Sequence, residues 1–426
     1  MSGDFQAPKG VSEYFPPRSG IFEKVVRKLE QVSLAANYHL IELPVFEDTQ
    51  LFTRGVGEST DVVSKEMYTF EDRGGRSLTL RPEGTAGVIR SIIEHGLDRG
   101  QLPVKLYYRG PFFRAERPQA GRYRQFYQFG IEAVGLDDPF LDAEVISIAY
   151  RGFASLGLQN FELQITSLGD EESRGKHRVQ FLKFLSNLDL DDETAERVKK
   201  NPLRIFDDKR SEIQAKLKVA PIILDFLTSE SASKFEALKS ALTALDIPFV
   251  VNPRMVRGLD YYTGTAFEFV HKGLGAQASI GGGGRYDGLM KTLGGQDLSG
   301  IGFGLGIDRI ILALESEGLI DNTNENSRLG DGYLDLFIIP IGDAAKLRAI
   351  SLIEKVREVG FVADMGFGDR ALKGAMKAAD KLNARHVLVL GDAELQSGQG
   401  RLKRMSDGIE ESITLDSLVA TLKNAI

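Results

Sequence analysis

The sequence predicts two units: an α+β unit built on an antiparallel sheet and carrying a helical insertion over about 170–250, and a separate α/β unit over 333–426. Three observations lead there. Strand-like runs between 40 and 270 do not alternate with helices in βαβα order, which points to an antiparallel sheet. Residues from about 170 to 250 are rich in Lys, Glu, Asp, Leu and Ser, with apolar positions at helical spacing. A polar linker, 321–332, then gives way to strands alternating with helices, the pattern of a small, mostly parallel α/β domain.

Taken in order, Phe22, Val25, Val26, Leu29 and Val32 fall at helical spacing and predict a helix over 21–37. Residues 40–45 read as a strand carrying Pro44, which removes a ladder donor and so places the strand at an edge or interface. The runs 105–108, 125–134 and 266–270 read as further strands, with Gly121 and Arg122 in a polar loop between two of them. In the insertion, Ile222, Leu224, Phe226 and Leu227, then Phe235, Leu238 and Leu242, mark helices. Downstream, 334–340 is a buried-type strand, 344–359 a helix ended by Gly360, 371–382 a second helix and 386–390 another apolar strand. No internal repeat is evident.

Composition narrows the class. The absence of cysteine excludes disulfides and cysteine-based zinc sites and suits a reducing compartment, so a cytoplasmic location is expected. The start, Met1-Ser2-Gly3-Asp4, has neither the basic nor the apolar region of a secretory leader. No apolar run approaches the roughly 18 residues of a membrane span. The net charge of −7 argues against a nonspecific nucleic-acid coat. Residues 333–426 carry 13 basic and 13 acidic side chains, so the negative charge lies upstream. Within it sits a basic island, Lys105, Arg109, Arg114, Arg117, Arg122 and Arg124, with Glu116 as the one acid. Such an island suits an anionic ligand; a solvated face is the alternative.

Four constellations carry chemistry. In Phe113-Arg114-Ala115-Glu116, followed by Arg122 and Phe126, an arginine fork can hold phosphate, a carboxylate can accept from an amino group and a ring can stack on a base. That set suits a nucleotide, with Arg114 on phosphate, Glu116 on the adenine edge and Phe126 on its face; it equally suits a salt-bridged hairpin. Gly302-Phe303-Gly304-Leu305-Gly306 leads into Asp308, Arg309 and an apolar helix; alternating glycines admit a ligand or a neighbouring backbone. No Walker loop is present. The third is Arg257-Gly258-Leu259-Asp260-Tyr261-Tyr262. The fourth is Gly281 to Gly284 followed by Arg285-Tyr286-Asp287, either a flexible loop or a strand that approaches a small substrate.

Together with Leu80-Arg81-Pro82-Glu83-Gly84-Thr85, these segments resemble the signatures of class II aminoacyl-tRNA synthetases. The Phe-Arg-Ala-Glu hairpin resembles their motif 2, the glycine strand with Arg309 their motif 3, and the helix and strand ending at Pro44 the dimer-forming motif 1. The Arg257 and Gly-Gly-Gly-Arg-Tyr-Asp segments resemble the two motifs peculiar to histidyl-tRNA synthetases. The likeness runs from about Lys9 to Ile426 and is weakest in the insertion. It departs at Lys9-Gly10-Val11-Ser12-Glu13, where the family usually has Arg-Gly-x-x-Asp.

The resemblance implies a class II catalytic domain over 1–322 and an anticodon-binding domain over 333–426. It implies that Glu83, Gly84, Thr85 and Gln128 hold the α-ammonium end of histidine and that Glu132, Tyr261 and Tyr262 line the imidazole pocket. Arg114 and Arg257 are expected to bracket the substrate carboxylate and α-phosphate as the catalytic pair. Glu116, Arg122, Phe126 and Arg309 are expected to hold ATP. ATP with Mg²⁺, L-histidine and tRNA(His) are the implied substrates and a homodimer the implied assembly, with no permanent metal or cofactor. Two rivals stand: a regulatory paralogue of histidine biosynthesis that binds histidine without charging tRNA, and a synthetase for another amino acid. Arg114, Arg309 and the C-terminal unit oppose the first; the Arg257 and Gly283 motifs oppose the second.

Overall fold

The computed structural model describes residues 5–57, 60–191, 194–195, 198, 202–208, 210–320, 334–368 and 371–425; the linker expected at 321–332 lies outside them. The chain divides into two compact units, one of residues 1–13 and 22–320 and one of residues 14–21 and 321–426.

The larger unit is organised by an eight-stranded sheet. Its strands are β1 (His39–Leu40), β5 (Val104–Phe113), β6 (Gln125–Val134), β7 (Phe161–Ser167), β8 (Val250–Val251), β9 (Thr263–His271), β10 (Ser279–Arg285) and β11 (Gly300–Gly306), in the order β1-β5-β6-β11-β10-β9-β7-β8. Every pairing is antiparallel except β1 with β5 and β7 with β8 at the two edges. A small antiparallel sheet of β2 (Phe46–Asp48), β3 (Tyr68–Glu71) and β4 (Ser77–Leu80) stands apart.

The sheet's alternation separates two kinds of face. One carries Tyr107, Phe129, Ile131, Phe267, Phe269, Phe303 and Leu305, all buried. The helices Arg18–Ala35, Pro139–Ser155 and Ile307–Ser316 supply the matching apolar stripes, Val25, Val26 and Leu29 among them. Gly152 lets the first two helices touch, since a Cβ there would lie 2.7 Å from Leu29 Cδ2. The other face is covered only in part, by the helix Thr85–Glu94, whose Val88, Ile89 and Ile92 pack on Tyr108, Phe112 and Tyr286.

Two expectations change. Residues 40–45 are not one strand: β1 ends at Leu40, the chain kinks through Leu43 and Pro44, and β2 begins at Phe46 in the small sheet. Proline cannot continue the ladder, and the Arg81 guanidinium takes the carbonyls of Leu43 and Pro44 instead. The insertion is helical as expected, with its own core of Phe181, Leu185, Ile205, Ile213 and Leu217. The helix Ser229–Ala244, however, packs on Pro139–Ser155 of the main body.

The smaller unit holds a five-stranded sheet of β12 (Leu334–Pro340), β13 (Ala363–Met365), β14 (Ala384–Leu390), β15 (Gln399–Arg404) and β16 (Glu410–Thr414), ordered β13-β12-β14-β15-β16. The first three strands are parallel and the last two antiparallel, so the sheet is mixed. The helices Asp343–Glu358 and Leu372–Lys381 match the two expected there.

Candidate active site

The exposed face of the large sheet has almost no side chains at its centre. Register places Glu268 of β9, Gly282 of β10, Gly304 of β11, Gly130 of β6 and Tyr108 of β5 in one cross-strand row. Strands lie about 4.8 Å apart, so three successive glycines leave a trough roughly 14 Å wide, floored by backbone, into which Tyr108 reaches over Gly130 and Arg257 over Gly282. Bulk elsewhere explains why. A Cβ on Gly130 or on Gly84 would lie 2.3 Å from Tyr108 Cζ, one on Gly302 would lie 1.8 Å from Glu132 Oε2, and one on Gly282 would lie 3.0 Å from Arg257 Nη1. The four-glycine run is therefore a strand and not a loop, and its missing side chains are the space other groups occupy.

A cavity of about 420 Å³ stands over this strip. One end is a polar well. Glu83 ends the loop before the Thr85–Glu94 helix and caps it, Oε2 accepting from Thr85 N at 2.7 Å and Oε1 from Ala86 N at 2.9 Å. The Tyr261 hydroxyl lies 3.4 Å from both Glu83 Oε2 and Thr85 Oγ1. Glu132 sits one layer deeper than the lining, 1 % exposed. It accepts from Thr85 Oγ1 at 2.8 Å, from Tyr286 Oη at 2.7 Å and, more weakly, from Tyr108 Oη at 3.4 Å. Gln128 and Tyr262 line the well beside them.

The opposite end is cationic. Arg114 donates from Nε to the Pro82 carbonyl at 3.0 Å and lies 5.3 Å over the Phe126 ring. Arg122 pairs with Glu116 at 3.1 Å. Arg309 reaches from the start of its helix to the carbonyls of Gly121, at 2.9 Å, and Ser279, at 2.7 Å, and so ties the β5–β6 loop to β10. Arg257 lies 5.1 Å over the Tyr262 ring, with Nη1 3.7 Å from Glu268 Oε1, and its buried Nε has no hydrogen-bond partner among the described residues.

Electrostatics follow from this burial. Desolvation pushes Glu132 up to about 8 against the hydrogen bonds from Tyr286 and Thr85, with the neighbouring Glu83 charge adding to the rise. Burial raises Glu83 as well, and the hydroxyls of Tyr108, Tyr261 and Tyr286 well above their ordinary range. Arg309 is held below its usual value, first by burial and then by Arg122. A well of protonated hydroxyls and reluctant carboxylates faces an end dense in guanidinium groups. That arrangement accommodates a ligand with hydrogen-bonding groups at one end and anionic charge at the other.

Proteins of known identity resemble this one along its whole length. A family profile described as histidyl-tRNA synthetase matches residues 10–310, and one described as anticodon binding domain matches 335–425. The chain belongs to the histidyl-tRNA synthetase family. The histidine–tRNA ligase of Mycobacterium tuberculosis (strain ATCC 25618 / H37Rv) is 58 % identical over 416 residues, 98 % of this chain and 97 % of that relative. That of Saccharopolyspora erythraea is 56 % identical over 423 residues, 99 % of each. Among solved structures, apo S. aureus histidyl-tRNA synthetase matches with a TM-score of 0.81 at 38 % identity, covering 98 % of this chain and 100 % of that one.

The histidyl-tRNA synthetase motifs thus meet around one cavity. The residues expected at the site all line it except Glu132, which stands behind the hydroxyls that do. Among the described residues Glu132 pairs with three hydroxyls and no arginine. Two other expectations are modified: the Glu116 carboxylate is engaged by Arg122, and Arg114 covers one face of the Phe126 ring. Sequence reasoning did not assign Tyr108, Glu268 or Tyr286 to the site. Tyr108 and Glu268 lie in strands that the sequence marks, but alternation alone does not say which face of those strands meets the cavity. Tyr286 stands inside a quoted motif.

Proposed function

We propose that this protein is a histidine–tRNA ligase whose polar well takes histidine and whose arginine-rich end takes ATP. The observation that carries this reading is the glycine strip with a buried acceptor at one end and Arg114, Arg257 and Arg309 at the other. An extended aminoacyl-adenylate fits along such a strip; a side chain at Gly282 or Gly304 would not leave room.

In the first step a carboxylate oxygen of histidine attacks the α-phosphorus of ATP, forming histidyl-adenylate as pyrophosphate leaves. Arg114 and Arg257 bracket that phosphorus, orient the carboxylate and neutralise the charge that develops. Glu83, Thr85 and Gln128 receive the α-ammonium, with the Gly84 backbone giving the close approach. Glu132, Tyr261 and Tyr262 recognise the imidazole, Glu132 through its own carboxylate and the hydroxyls it organises. Glu116, Arg122, Phe126 and Arg309 hold the nucleotide, which brings Mg²⁺ on its outer phosphates. In the second step the terminal hydroxyl of tRNA(His) attacks the activated carbonyl and AMP leaves. Residues 1–322 form the catalytic domain and 333–426 the domain that reads the anticodon.

A homodimer through the motif 1 region is supported by Leu40, Val45, Phe46 and Phe70, large apolar side chains left exposed there, with Phe46 and Phe70 edge to face at 6.1 Å. Among the described residues no helix is long and apolar enough to cross a membrane; the proposed location is the cytoplasm.

The test is ATP–pyrophosphate exchange by the purified protein. Exchange that requires histidine supports the reading. Histidine binding without exchange would favour the regulatory paralogue instead.

A further inference from the structure

Tyr286 meets Glu132 across an intervening strand. Glu132 belongs to β6 and Tyr286 follows the end of β10; β11 runs between them. The two side chains reach each other over two glycines of β11. A Cβ on Gly300 would lie 2.1 Å from the Tyr286 ring, and one on Gly302 would lie 1.8 Å from Glu132. Glycine clears the path but holds nothing in place. The 2.7 Å contact between the Tyr286 hydroxyl and Glu132 Oε2 needs another constraint on where β10 ends relative to β6.

Arg285 supplies it. Its side chain is 4 % exposed and points away from the cavity, into the loop that follows β6. There Nη1 donates to the Leu136 carbonyl at 3.2 Å and Nη2 to the Asp138 carbonyl at 2.9 Å. Nε donates to Asp142 Oδ2 at 3.0 Å, and Nη2 lies 2.6 Å from Asp142 Oδ1, a carboxylate that is itself 2 % exposed. Asp142 stands in the first turn of the Pro139–Ser155 helix, which Asp138 caps. One planar fork thus grips two carbonyls and a carboxylate of the segment that leaves β6. Such rigid multidentate contact is what a guanidinium offers and an ammonium does not. Asp137 and Asp287 lie 3.7 Å from Nη1, and Asp137 also pairs with Lys234 of the Ser229–Ala244 helix at 2.6 Å. The next backbone contacts continue the clamp: Tyr286 N donates to Gly300 O at 2.9 Å and Asp287 N to Thr263 Oγ1 at 3.0 Å, directly after Tyr261 and Tyr262.

We propose that Arg285 is a positioning residue for histidine recognition: by clamping the end of β10 to the loop after β6, it holds the Tyr286 hydroxyl against Glu132 and so sets the shape of the imidazole pocket. This rests on the polar well being the histidine site. Arg285 does not touch the substrate, and the arginine-rich end of the cavity does not depend on it.

A double-substitution cycle read by calorimetric binding to the full-length protein tests this, with histidine and ATP titrated separately. Arg285→Lys is expected to weaken histidine binding by about tenfold and to leave ATP binding within about twofold. Tyr286→Phe should weaken histidine binding comparably. The double substitution should be no weaker than Tyr286→Phe alone, because Arg285 acts through that hydroxyl. Asp142→Asn keeps the shape of the pair, removes its charge and enters the same cycle if Arg285→Lys does not fold. Effects that multiply, or equal losses for histidine and ATP, would overturn the proposal, since both describe general damage. Because binding is measured directly, a protein that binds histidine but exchanges no pyrophosphate fails the ligase reading while the cycle still decides the role of Arg285. An unsubstituted protein that does not bind histidine overturns both.

Discussion

The two large sheets of this protein are built from similar apolar material and differ in what they bury besides it. In the C-terminal sheet both faces are covered, Leu336 and Ile338 by one cluster and Phe337 and Ile339 by another. Its buried polar groups are satisfied close at hand: Asp335 accepts from Val362 N at 2.9 Å and pairs with Arg385, and His386 lies 3.3 Å from the Asp335 carbonyl. In the eight-stranded sheet one face is equally apolar, and the other carries glycine, buried carboxylate and buried tyrosine. Burying such groups costs free energy unless each is paired. A sheet that keeps Glu83 and Glu132 beneath a cavity, held by backbone N–H groups and hydroxyls, is arranged for a ligand, whereas a sheet that pairs its buried Asp335 with a guanidinium is arranged for stability. The comparison assigns chemistry to one unit and, in the other, leaves recognition to its surface.

The sharpest break would come at Arg257. Arg257→Ala should lower adenylate formation in single turnover by about 10² or more, the scale of removing a group that neutralises transition-state charge. The thermal transition should stay where it is, because the guanidinium packs on Tyr262 and not in the apolar core. An unchanged adenylation rate would remove Arg257 from the mechanism. The complementary break removes the other unit. A chain ending near Glu325 should still make adenylate yet charge tRNA roughly 10² less efficiently, because single-stranded loops are read by contacts worth about 1–3 kcal/mol each. Full charging by the shortened chain would deny the C-terminal unit its role.

The same contrast explains what could be read in advance. Two strands and two helices of the C-terminal unit were expected within a residue or two of where they lie, because two covered faces write nearly continuous apolar runs such as 334–340; its shorter strands β13, β15 and β16 were not. The catalytic sheet was legible through β5 and β6, where large side chains alternate. It was obscure at β10, where four glycines carry no pattern and look like a loop. The kink at Leu43 and Pro44 was half legible: proline announced a ladder break, but nothing local announced that Arg81, far along the chain, would take the freed carbonyls. Glu132 was identified as a site residue, but the sequence does not show that the Thr85 and Tyr286 hydroxyls stand between it and the cavity.

Glycine substitution sharpens the comparison in the catalytic sheet. Gly302→Ala would put a methyl group 1.8 Å from Glu132 Oε2 and 2.4 Å from the Ile131 carbonyl, one of them immovable backbone. The expected cost is about 1–3 kcal/mol of stability, with histidine affinity lowered by about tenfold or more and ATP affinity lowered less. Equal losses for both ligands would mean that the whole strip had shifted.

A further effect concerns pH. Glu132 titrates near 8 in the folded chain against an ordinary 4.5, so the folded state holds its proton more tightly than the unfolded state. Its contribution to stability is fully present below the unfolded value and is lost as pH rises through the folded one, at up to about 1.4 kcal/mol per pH unit between them. Glu132→Gln should flatten that slope, seen as a smaller difference in urea midpoint between acid and mildly alkaline buffer, and should weaken histidine binding more than ATP binding. In the C-terminal unit the sign reverses. Burial holds His386 below its ordinary 6.5, so its contribution is present above that pH and lost on acidification. A slope left unchanged by Glu132→Gln would place the titration elsewhere.

The smallest effect is the most discriminating control, because it makes the same chemical change where the comparison says nothing is at stake. Gly374 lies in the Leu372–Lys381 helix of the C-terminal unit, exposed, and a Cβ there would meet nothing within 4 Å. Glycine inside a helix loses more backbone freedom on folding than alanine does, which costs about 0.5–1 kcal/mol. Gly374→Ala should therefore stabilise its unit by about that amount and raise its thermal transition by roughly 2–6 °C, while histidine and ATP affinities stay within error. The identical substitution at Gly302 should do the reverse on every count. If Gly374→Ala also weakened histidine binding, the division between a sheet arranged for chemistry and a sheet arranged for stability would fail. If Gly302→Ala were as harmless as Gly374→Ala, the glycine beside Glu132 would be an accident of composition and not the space its carboxylate needs.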